Sequence, residues 1–334
     1  MKAIVYTQYG SPDVLQLKEV EKPSPRDDEV LIKVQAASVN ALDAHTLRLP
    51  FLVRLIAGSG PLKPKNTSLG ADIAGRVEAV GATVTQFHPG DEVFGISRVS
   101  KGGFAEYACA AENTLALKPA NLSFEAAAAV PVAALTALQG LRDTGQIQPG
   151  QKVLIHGASG GVGTFGVQIA RSFGAEVTAV CSTRNLEMAR SIGADHVIDY
   201  TQEDVTRNGQ QYDLILAVNG YHPILAYRRA LSPTGRYVLV GEGSNAHLIQ
   251  ALLQAMLLGP LISRTGRQKM GFMGITKPNQ KDLVFVKELL EAGKVVPVID
   301  RCYPLDETAE AIRYLEEGHA RGKVVIMVDQ NNNT

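Results

Sequence analysis

The sequence predicts an α/β protein made of a β-rich domain and a doubly wound parallel sheet. Three observations lead to this prediction. The chain has 334 residues, enough for two domains at the usual size of about 100–200 residues each. Before Ser123, short segments of strand composition alternate with proline and glycine turns. From Gln151 onward, strands and helices alternate at the spacing of βαβ units.

Composition excludes several classes of protein. The chain has 33 Lys and Arg against 33 Asp and Glu, so its formal net charge is zero. A balanced chain lacks the broad positive field that nucleic-acid binding usually needs. Hydrophobic residues make up 45%, which is ordinary for a globular protein and excludes disorder as the main state. The 3 cysteines, Cys109, Cys181 and Cys302, stand in unrelated contexts and do not form a disulfide framework.

The sequence does not favour a secreted or membrane-spanning protein. The opening Met1–Thr7 is too short an apolar run for a secretory signal, and we expect a cytoplasmic protein. No segment reaches the ~20 apolar residues that span a bilayer. The most apolar window, Leu248–Ile262, is interrupted by glutamines, a glycine and a proline. It could be an exposed lid, a membrane-surface helix, or a helix packed over a pocket or against another subunit.

The elements predicted before Ser123 are strands. Val30–Val34 and Ile73–Val84 have strand composition, and Asp91–Gly95 follows the turn Pro89–Gly90. Ser123 is a candidate N-cap for an alanine-rich helix.

From Gln151 onward, predicted strands alternate with predicted helices. The predicted strands are Lys152–His156, Glu176–Cys181, His196–Asp199, Tyr212–Val218 and Arg236–Val240, with helices Val162–Phe173 and Asn185–Ile192 between the first ones. Near Thr276–Asn279 this rhythm stops. The elements predicted after it are the helix Asp282–Ala292, the strand Val295–Ile299, the helix Thr308–Glu317 and the strand Gly322–Val328.

A glycine-rich turn joins the strand Lys152–His156 to the helix that follows. It departs from the Gly-x-Gly-x-x-Gly pattern because Ala158 stands at the first glycine. Glycines let the backbone approach a pyrophosphate, and the helix start supplies N–H groups and a partial positive charge. We therefore predict a dinucleotide here, with a plain tight turn as the alternative. The residues expected at the cofactor are Ser159, Gly160, Gly161, Val162 and Gly163.

The end of the second strand indicates which dinucleotide. A cofactor without a 2′-phosphate usually meets an Asp or Glu about 20 residues beyond the glycines. Here the strand is followed by Ser182, Thr183 and Arg184, with no carboxylate among them. Two hydroxyls and a guanidinium suit a 2′-phosphate, so NADPH is favoured over NADH. The alternative is that Arg184 is a solvated charge in the first turn of the next helix.

Several ordered segments carry a resemblance to a known family. They include Val39–Asp43, Leu69–Gly75, Gly102–Tyr107, Gly193–Tyr200 and Gly322–Val325. With the glycine-rich turn, they make the chain resemble the zinc-free quinone oxidoreductase (zeta-crystallin-like) branch of the medium-chain dehydrogenase/reductase superfamily.

The resemblance implies an architecture. Residues 1–122 and 276–334 would form a GroES-like β domain, and residues 123–275 a Rossmann NADPH-binding domain. A homodimer through the sheet edge near Lys269–Ile275 is implied as well.

The resemblance also bears on the chemistry. Zinc alcohol dehydrogenases of the superfamily carry a Cys where Asn40 stands and a His-Glu pair where Ala71-Asp72 stands. Asn and Ala do not replace thiolate and imidazole as zinc ligands, so no metal is expected. Without a Lewis acid, the reaction that fits is hydride transfer to a quinone or an α,β-unsaturated carbonyl, where conjugation spreads the arriving charge.

Individual residues then receive expected roles. Asn40 would bind the substrate oxygen or orient the nicotinamide, or else be a structural amide, and Asp43 would join a polar network near the ring. By the family match, Thr136 and Tyr200 would lie along the cofactor, Tyr200 near the adenosine phosphate. The remaining expected cofactor residues are Asn219 and Gly241, which follow strands, and the weaker candidates Phe272 and Lys323. Lys323 has a surface charge as its alternative.

Two other functions stay open at this point. Within enzymology, the acceptor could be a 2-alkenal or another activated double bond. Outside it, the chain could be a non-catalytic NADPH-binding redox sensor or a crystallin-like protein. Turnover of NADPH separates these classes.

Overall fold

The computed structural model describes residues 1–56, 59–97, 102–219, 222–241 and 245–328. It divides into two compact units. Unit 1 contains Met1–Val132, Pro278–Glu291 and Ile299–Thr334, and unit 2 contains Ala133–Lys277 and Ala292–Val298.

The elements are numbered along the chain. The strands are β1 (Lys2–Val5), β2 (Gln16–Glu19), β3 (Glu29–Val39), β4 (Asp72–Val80), β5 (Glu92–Ile96), β6 (Tyr107–Ala111), β7 (Leu115–Leu117), β8 (Lys152–His156), β9 (Glu176–Cys181), β10 (His196–Asp199), β11 (Tyr212–Ala217), β12 (Leu231–Leu239), β13 (Lys269–Phe272), β14 (Ile299–Pro304) and β15 (Lys323–Met327). The helices are α1 (Ala41–Leu47), α2 (Phe51–Ile56), α3 (Phe124–Ala128), α4 (Pro131–Gln139), α5 (Gly161–Ser172), α6 (Leu186–Ser191), α7 (Ile224–Ala230), α8 (Asn245–Thr265), α9 (Gln280–Glu291) and α10 (Thr308–Glu316).

Unit 1 is built on a 7-stranded sheet in the order β14-β15-β3-β4-β5-β7, with β6 also paired to β3. The long strand β3 is its centre, because β4, β6 and β15 all pair with it. One core cluster lies around Ile32, Ile73 and Leu115, which are fully buried. The last strand of the chain therefore completes a sheet begun near its start.

Unit 2 is a 6-stranded parallel sheet in the order β10-β9-β8-β11-β12-β13. The chain moves outward from β8 through β9 to β10 and then restarts on the other side at β11. This is the order of the doubly wound dinucleotide-binding fold, whose ligands bind where the strand order reverses. The predicted doubly wound sheet is confirmed, and its reversal point lies between β8 and β11.

The predicted strands of unit 2 agree well with the observed ones. The first three, β8, β9 and β10, have the predicted bounds. The predicted strand Val295–Ile299 is wrong, since β14 begins only at Ile299. Pro297 has no N–H to donate to a ladder. The backbone of Val296 is instead hydrogen-bonded to the side-chain amide of Gln168. The Val296 N–H donates to Gln168 Oε1 at 2.8 Å, and Gln168 Nε2 donates to the Val296 carbonyl at 3.0 Å.

The predicted N-cap is confirmed. The Ser123 hydroxyl accepts a hydrogen bond from the Ala126 N–H at 3.2 Å and starts α3. This helix packs on β3 and β4, and unit 1 continues to Val132.

The apolar window Leu248–Ile262 lies in α8, whose side chains at 245–249 are outside the described set. No helix in the described part of the chain combines the length and apolarity that crossing a membrane requires.

Candidate active site

The glycine-rich turn of unit 2 leads from β8 into the N-terminus of α5. Gly160 is the N-cap and no side chain caps the helix. The N–H groups of the first turn have no partner within an α-helix. Among the described residues, a Cβ built on Gly160 would find only the Gly157 carbonyl oxygen, at 3.8 Å, whereas one on Gly163 would lie 2.1 Å from that oxygen. Gly163 thus lets the helix pack tightly, and Gly160 leaves open space above it.

Two further strand ends lie beside this turn. Asn219 follows β11, and a Cβ built on Gly157 would lie 2.9 Å from the Asn219 Cβ. Gly241 follows β12, and among the described residues a Cβ built there would find only the Val218 carbonyl oxygen, at 3.8 Å. The structure therefore brings Asn219 close to the glycine turn and places Gly241 at the same carboxyl edge of the parallel sheet.

The end of β9 carries the residues expected at a 2′-phosphate. Ser182 is half-buried, while Thr183 and Arg184 are exposed in a short 3-10 turn, Thr183–Asn185. These three residues include no carboxylate, but the neighbouring strand β10 brings one beside them. Asp199, which ends β10 in register with Cys181, accepts a hydrogen bond from the Thr183 hydroxyl at 2.5 Å.

The charge of Asp199 is stabilised there. The hydrogen bond from Thr183 is the main cause that lowers the pKa of Asp199. Thr201 adds bonds from its N–H at 2.9 Å and from its hydroxyl at 2.7 Å. Tyr200, between them, is 44% exposed. Parallel pairing of β9 with β10 is the sequence signal that could have placed this carboxylate beside Thr183.

Thr136 and Phe272 lie elsewhere in unit 2. The Thr136 hydroxyl, on α4, lies 2.7 Å from the hydroxyl of Thr276. One turn later, the Gln139 amide accepts from the Lys277 N–H at 3.0 Å and donates to its carbonyl at 2.8 Å. Phe272 ends the edge strand β13 and packs against the core of unit 2.

Asn40, Asp43 and Lys323 lie in unit 1, in a buried polar network with Asp72. Asn40 caps α1. Its side-chain amide donates to Asp72 Oδ2 at 2.9 Å, and its carbonyl oxygen accepts from Lys323 Nζ at 2.6 Å. Lys323 also donates to Asp72 Oδ2 at 3.1 Å, and the Ser38 hydroxyl donates to the same oxygen at 2.7 Å. Lys323 is 3% exposed, so the alternative of a surface charge is wrong.

Asp43 closes the other side of the network. Its carboxylate accepts from the Asn40 N–H at 2.8 Å and from the Gly70 N–H at 3.0 Å. Burial raises the pKa of Asp43 to about 6, while these two backbone bonds oppose the rise. A carboxyl group with this pKa exchanges protons near neutral pH, which suits a group in a polar relay.

Sequence reasoning missed two members of these clusters. Asp72 entered only as a position where zinc enzymes carry a ligand, although its Oδ2 joins Ser38, Asn40 and Lys323. His156, the last residue of β8, is buried and its Nδ1 lies 2.8 Å from the Tyr227 hydroxyl. Burial lowers the pKa of His156 to about 3, so the ring is neutral at pH 7.

The residues of unit 2 fit a dinucleotide. A parallel sheet with a glycine-capped helix N-terminus at its reversal point is the arrangement that binds a pyrophosphate. Within the described part of the chain, the space beside Gly160 and Gly241 provides room on the same edge. No group of three or more His, Cys, Asp or Glu suited to a metal ion occurs within the described residues.

Comparison with known proteins agrees with this architecture. The family model for the alcohol dehydrogenase GroES-like domain matches residues 26–120, and the model for zinc-binding dehydrogenases matches residues 192–326. The first match falls in unit 1, and the second covers most of the sheet of unit 2 and the return into unit 1.

Three known proteins show the extent of the likeness. The 2-methylene-furan-3-one reductase of Solanum lycopersicum is 37% identical, over 98% of this chain and 79% of its own. The chloroplastic NADPH-dependent alkenal/one oxidoreductase of Arabidopsis thaliana is 36% identical over the same shares, 98% and 79%. The solved quinone oxidoreductase of Coxiella burnetii superposes with a TM-score of 0.84 at 31% identity, covering 98% of this chain and 99% of that one.

Proposed function

Because the chain belongs to the quinone oxidoreductase branch of the medium-chain dehydrogenase/reductase superfamily, we propose that it is an NADPH-dependent reductase of quinones or α,β-unsaturated carbonyls. The observation that carries this proposal is the open, glycine-capped N-terminus of α5 at the reversal point of the parallel sheet. The relatives named alkenal/one oxidoreductase and quinone oxidoreductase support both acceptor classes.

A reduced nicotinamide supplies the hydride when it is bound. The residues of this chain would hold it in place. The first-turn N–H groups of α5, from Gly161 to Gly163, would bind the pyrophosphate. Asn219 and Gly241 would line the same edge of the sheet, with Thr136 and Phe272 as further contacts.

The preference for NADPH rests on the end of β9. Arg184 is exposed there with the hydroxyl of Ser182 nearby in sequence, and a guanidinium matches a phosphate with paired hydrogen bonds. Tyr200 would border the same phosphate. Asp199 works in the opposite direction, because it places a negative charge beside Thr183. We propose that Arg184 outweighs this charge.

The polar network of unit 1 would act on the acceptor side. Asn40 and Asp43 are proposed as the residues nearest the reacting groups, with Lys323 holding the amide oxygen of Asn40. The side chains at the family's zinc positions support a reaction without metal. Asn40 and Ala71 offer neither thiolate nor imidazole, and the carboxylate of Asp72 is engaged by its neighbours.

Three further proposals accompany this function. Residues 1–122 with 276–334 and residues 123–275 are proposed as the functional domains. A homodimer through 269–275 is supported by the position of β13 at an edge of the sheet. A cytoplasmic location stays a prediction, and the relatives include a chloroplastic protein.

The test is oxidation of NADPH and of NADH against benzoquinone, phenanthrenequinone, an alkenal and a simple ketone. Wild type is compared with Arg184→Ala and with Arg190→Ala, an exposed arginine at the end of α6. We expect NADPH-selective turnover of conjugated acceptors, little turnover of the ketone, and selectivity lost only in Arg184→Ala.

Other outcomes are equally informative. Equal use of NADH by the wild type contradicts the role of Arg184. Binding of NADPH without turnover of any acceptor favours the non-catalytic redox sensor or crystallin-like protein instead.

A further inference from the structure

The helix α8 presents an apolar face to solvent. Leu253, Met256, Leu257 and Leu261 are 55%, 65%, 70% and 58% exposed. Their spacing of three and four residues puts them on one side of the helix. Large apolar side chains that are exposed singly are ordinary, but a contiguous row on one helix marks an interaction surface.

The exposed row is not the side of α8 that packs on the core of unit 2. The opposite side of α8 is already packed, with Ala255 and Ile262 buried against Met270 of β13. A Cβ built on Gly259 would lie 2.6 Å from the Met270 carbonyl oxygen. The helix therefore lies close on the edge strand, and its second apolar side serves something other than the core.

Exposed cations lie at one end of this face. Arg264 is exposed at the C-terminal end of α8, and Arg267 is exposed just after it. Arg228 and Arg229 are exposed on α7, which packs beside α8.

A hydrogen bond fixes the position of one of the two α7 cations. Arg228 Nε donates to Gln268 Oε1 at 3.3 Å, which puts that guanidinium beside the end of α8. Neither α7 nor the segment 245–277 contains an Asp or a Glu. An apolar row beside a cationic cluster thus occurs in a chain whose net charge is zero.

We propose that this face, formed by the exposed row of α8 and the cations at its C-terminal end, docks on the surface of an anionic phospholipid bilayer. Helices that lie in a membrane interface combine a leucine-rich face with Lys and Arg at its border. Anionic headgroups would pair with the arginines while the leucines enter the acyl boundary. A second copy of this chain fits less well, since the same face of a partner offers these cations no carboxylate.

The experiment is co-sedimentation of the full chain with vesicles. Vesicles of phosphatidylcholine alone are compared with vesicles of an equal mixture with phosphatidylglycerol. We expect binding to the mixture and little binding to phosphatidylcholine. Arg264→Glu with Arg267→Glu should lower the partition coefficient about 30-fold or more, because each cation near an anionic surface contributes about fivefold. Met256→Gln with Leu257→Gln should lower it about tenfold or more.

Matched controls change the same chemistry elsewhere. Lys18→Glu with Lys294→Glu alters the net charge equally at two other exposed positions, and Val284→Gln alters an exposed apolar residue of α9. Both should bind like the wild type. Oligomeric state is followed in parallel by sedimentation velocity.

Each remaining outcome overturns the proposal. It fails if the wild type does not bind the mixed vesicles, or if the α8 variants bind as well as the controls. It also fails if the Met256 and Leu257 variant dissociates a dimer, since the face then belongs to a second copy.

Discussion

The substitution Lys323→Met tests whether the polar network of unit 1 is a structural element. Lys323 Nζ donates to Asp72 Oδ2, Asn40 Oδ1 and the Val39 carbonyl, at 3.1, 2.6 and 3.2 Å. Methionine fills a similar volume and removes all three bonds and the positive charge. Asp72 is 0% exposed, so water cannot replace the lost donor without rearrangement of the core.

The magnitude follows from what stays behind. Removing one partner of a buried ion pair costs about 3–5 kcal/mol. Asp72 keeps hydrogen bonds from Ser38, Asn40 and the Val132 N–H, whereas the Asn40 oxygen loses its donor. We expect a loss within that range, equivalent to a Tm lower by about 6–20 °C for a domain of this size class. The double variant with Asp72→Asn should be about 1–3 kcal/mol more stable than the sum of the two single-variant losses predicts, because Lys323 and Asp72 are in contact.

Thermal melting and urea unfolding measure both variants, and NADPH affinity is measured beside them. Lys18→Met, at an exposed position of β2, is the control and should change stability by less than about 0.5 kcal/mol. A Lys323→Met protein that is as stable as the control would refute the reasoning. If its NADPH affinity fell at unchanged stability, Lys323 would be a cofactor residue instead.

Three further predictions concern unit 2. Gln168→Leu removes both hydrogen-bond partners of the Val296 backbone. It should lower the free energy of unfolding, followed by thermal melting, by about 2–4 kcal/mol, and an unchanged Tm contradicts a structural role of these two bonds. Asp199→Asn removes a charge bound by Thr183 and should raise the ratio of kcat/KM for NADPH over NADH several-fold, and a lower ratio would exclude repulsion of the phosphate. Burial lowers the pKa of His156 to about 3, below its ordinary 6.5 in the unfolded chain. The unfolded chain thus binds a proton first, and stability falls as pH drops from 6.5 toward 3; His156→Gln should flatten the fall of Tm between pH 7 and pH 4.

Local patterns predicted most of unit 2. The strands β8, β9 and β10 are short apolar runs bounded by turns, and the glycine turn after β8 has a geometry that few residue types permit. Their bounds were therefore readable from neighbours in sequence. The predicted strand at Val295–Ile299 failed for the opposite reason, because the side chain of Gln168, far away in sequence, takes the hydrogen bonds of Val296.

The polar network of unit 1 shows the same limit more strongly. A lone lysine after a glycine near the end of a chain is usually solvated, and nothing in its neighbourhood indicates burial. Lys323 is buried because β15 pairs with β3 in the register Val324 to Val39. That pairing sets Lys323 beside Asn40 and Asp72. Similarly, Asp199 reaches Thr183 only through the pairing of β10 with β9.

The sheet of unit 1 has a consequence for biosynthesis. Its centre, β3, is synthesised before unit 2, but the neighbouring strand β15 and the ammonium group that neutralises Asp72 are synthesised after it. At about 5–20 residues per second, synthesis from the end of β4 to the end of β15 takes about 12–50 s. During that interval unit 2 can complete its own parallel sheet, while the apolar edge of β3 stays open and available to chaperones. The sheet of unit 2 can therefore be complete before the sheet of unit 1.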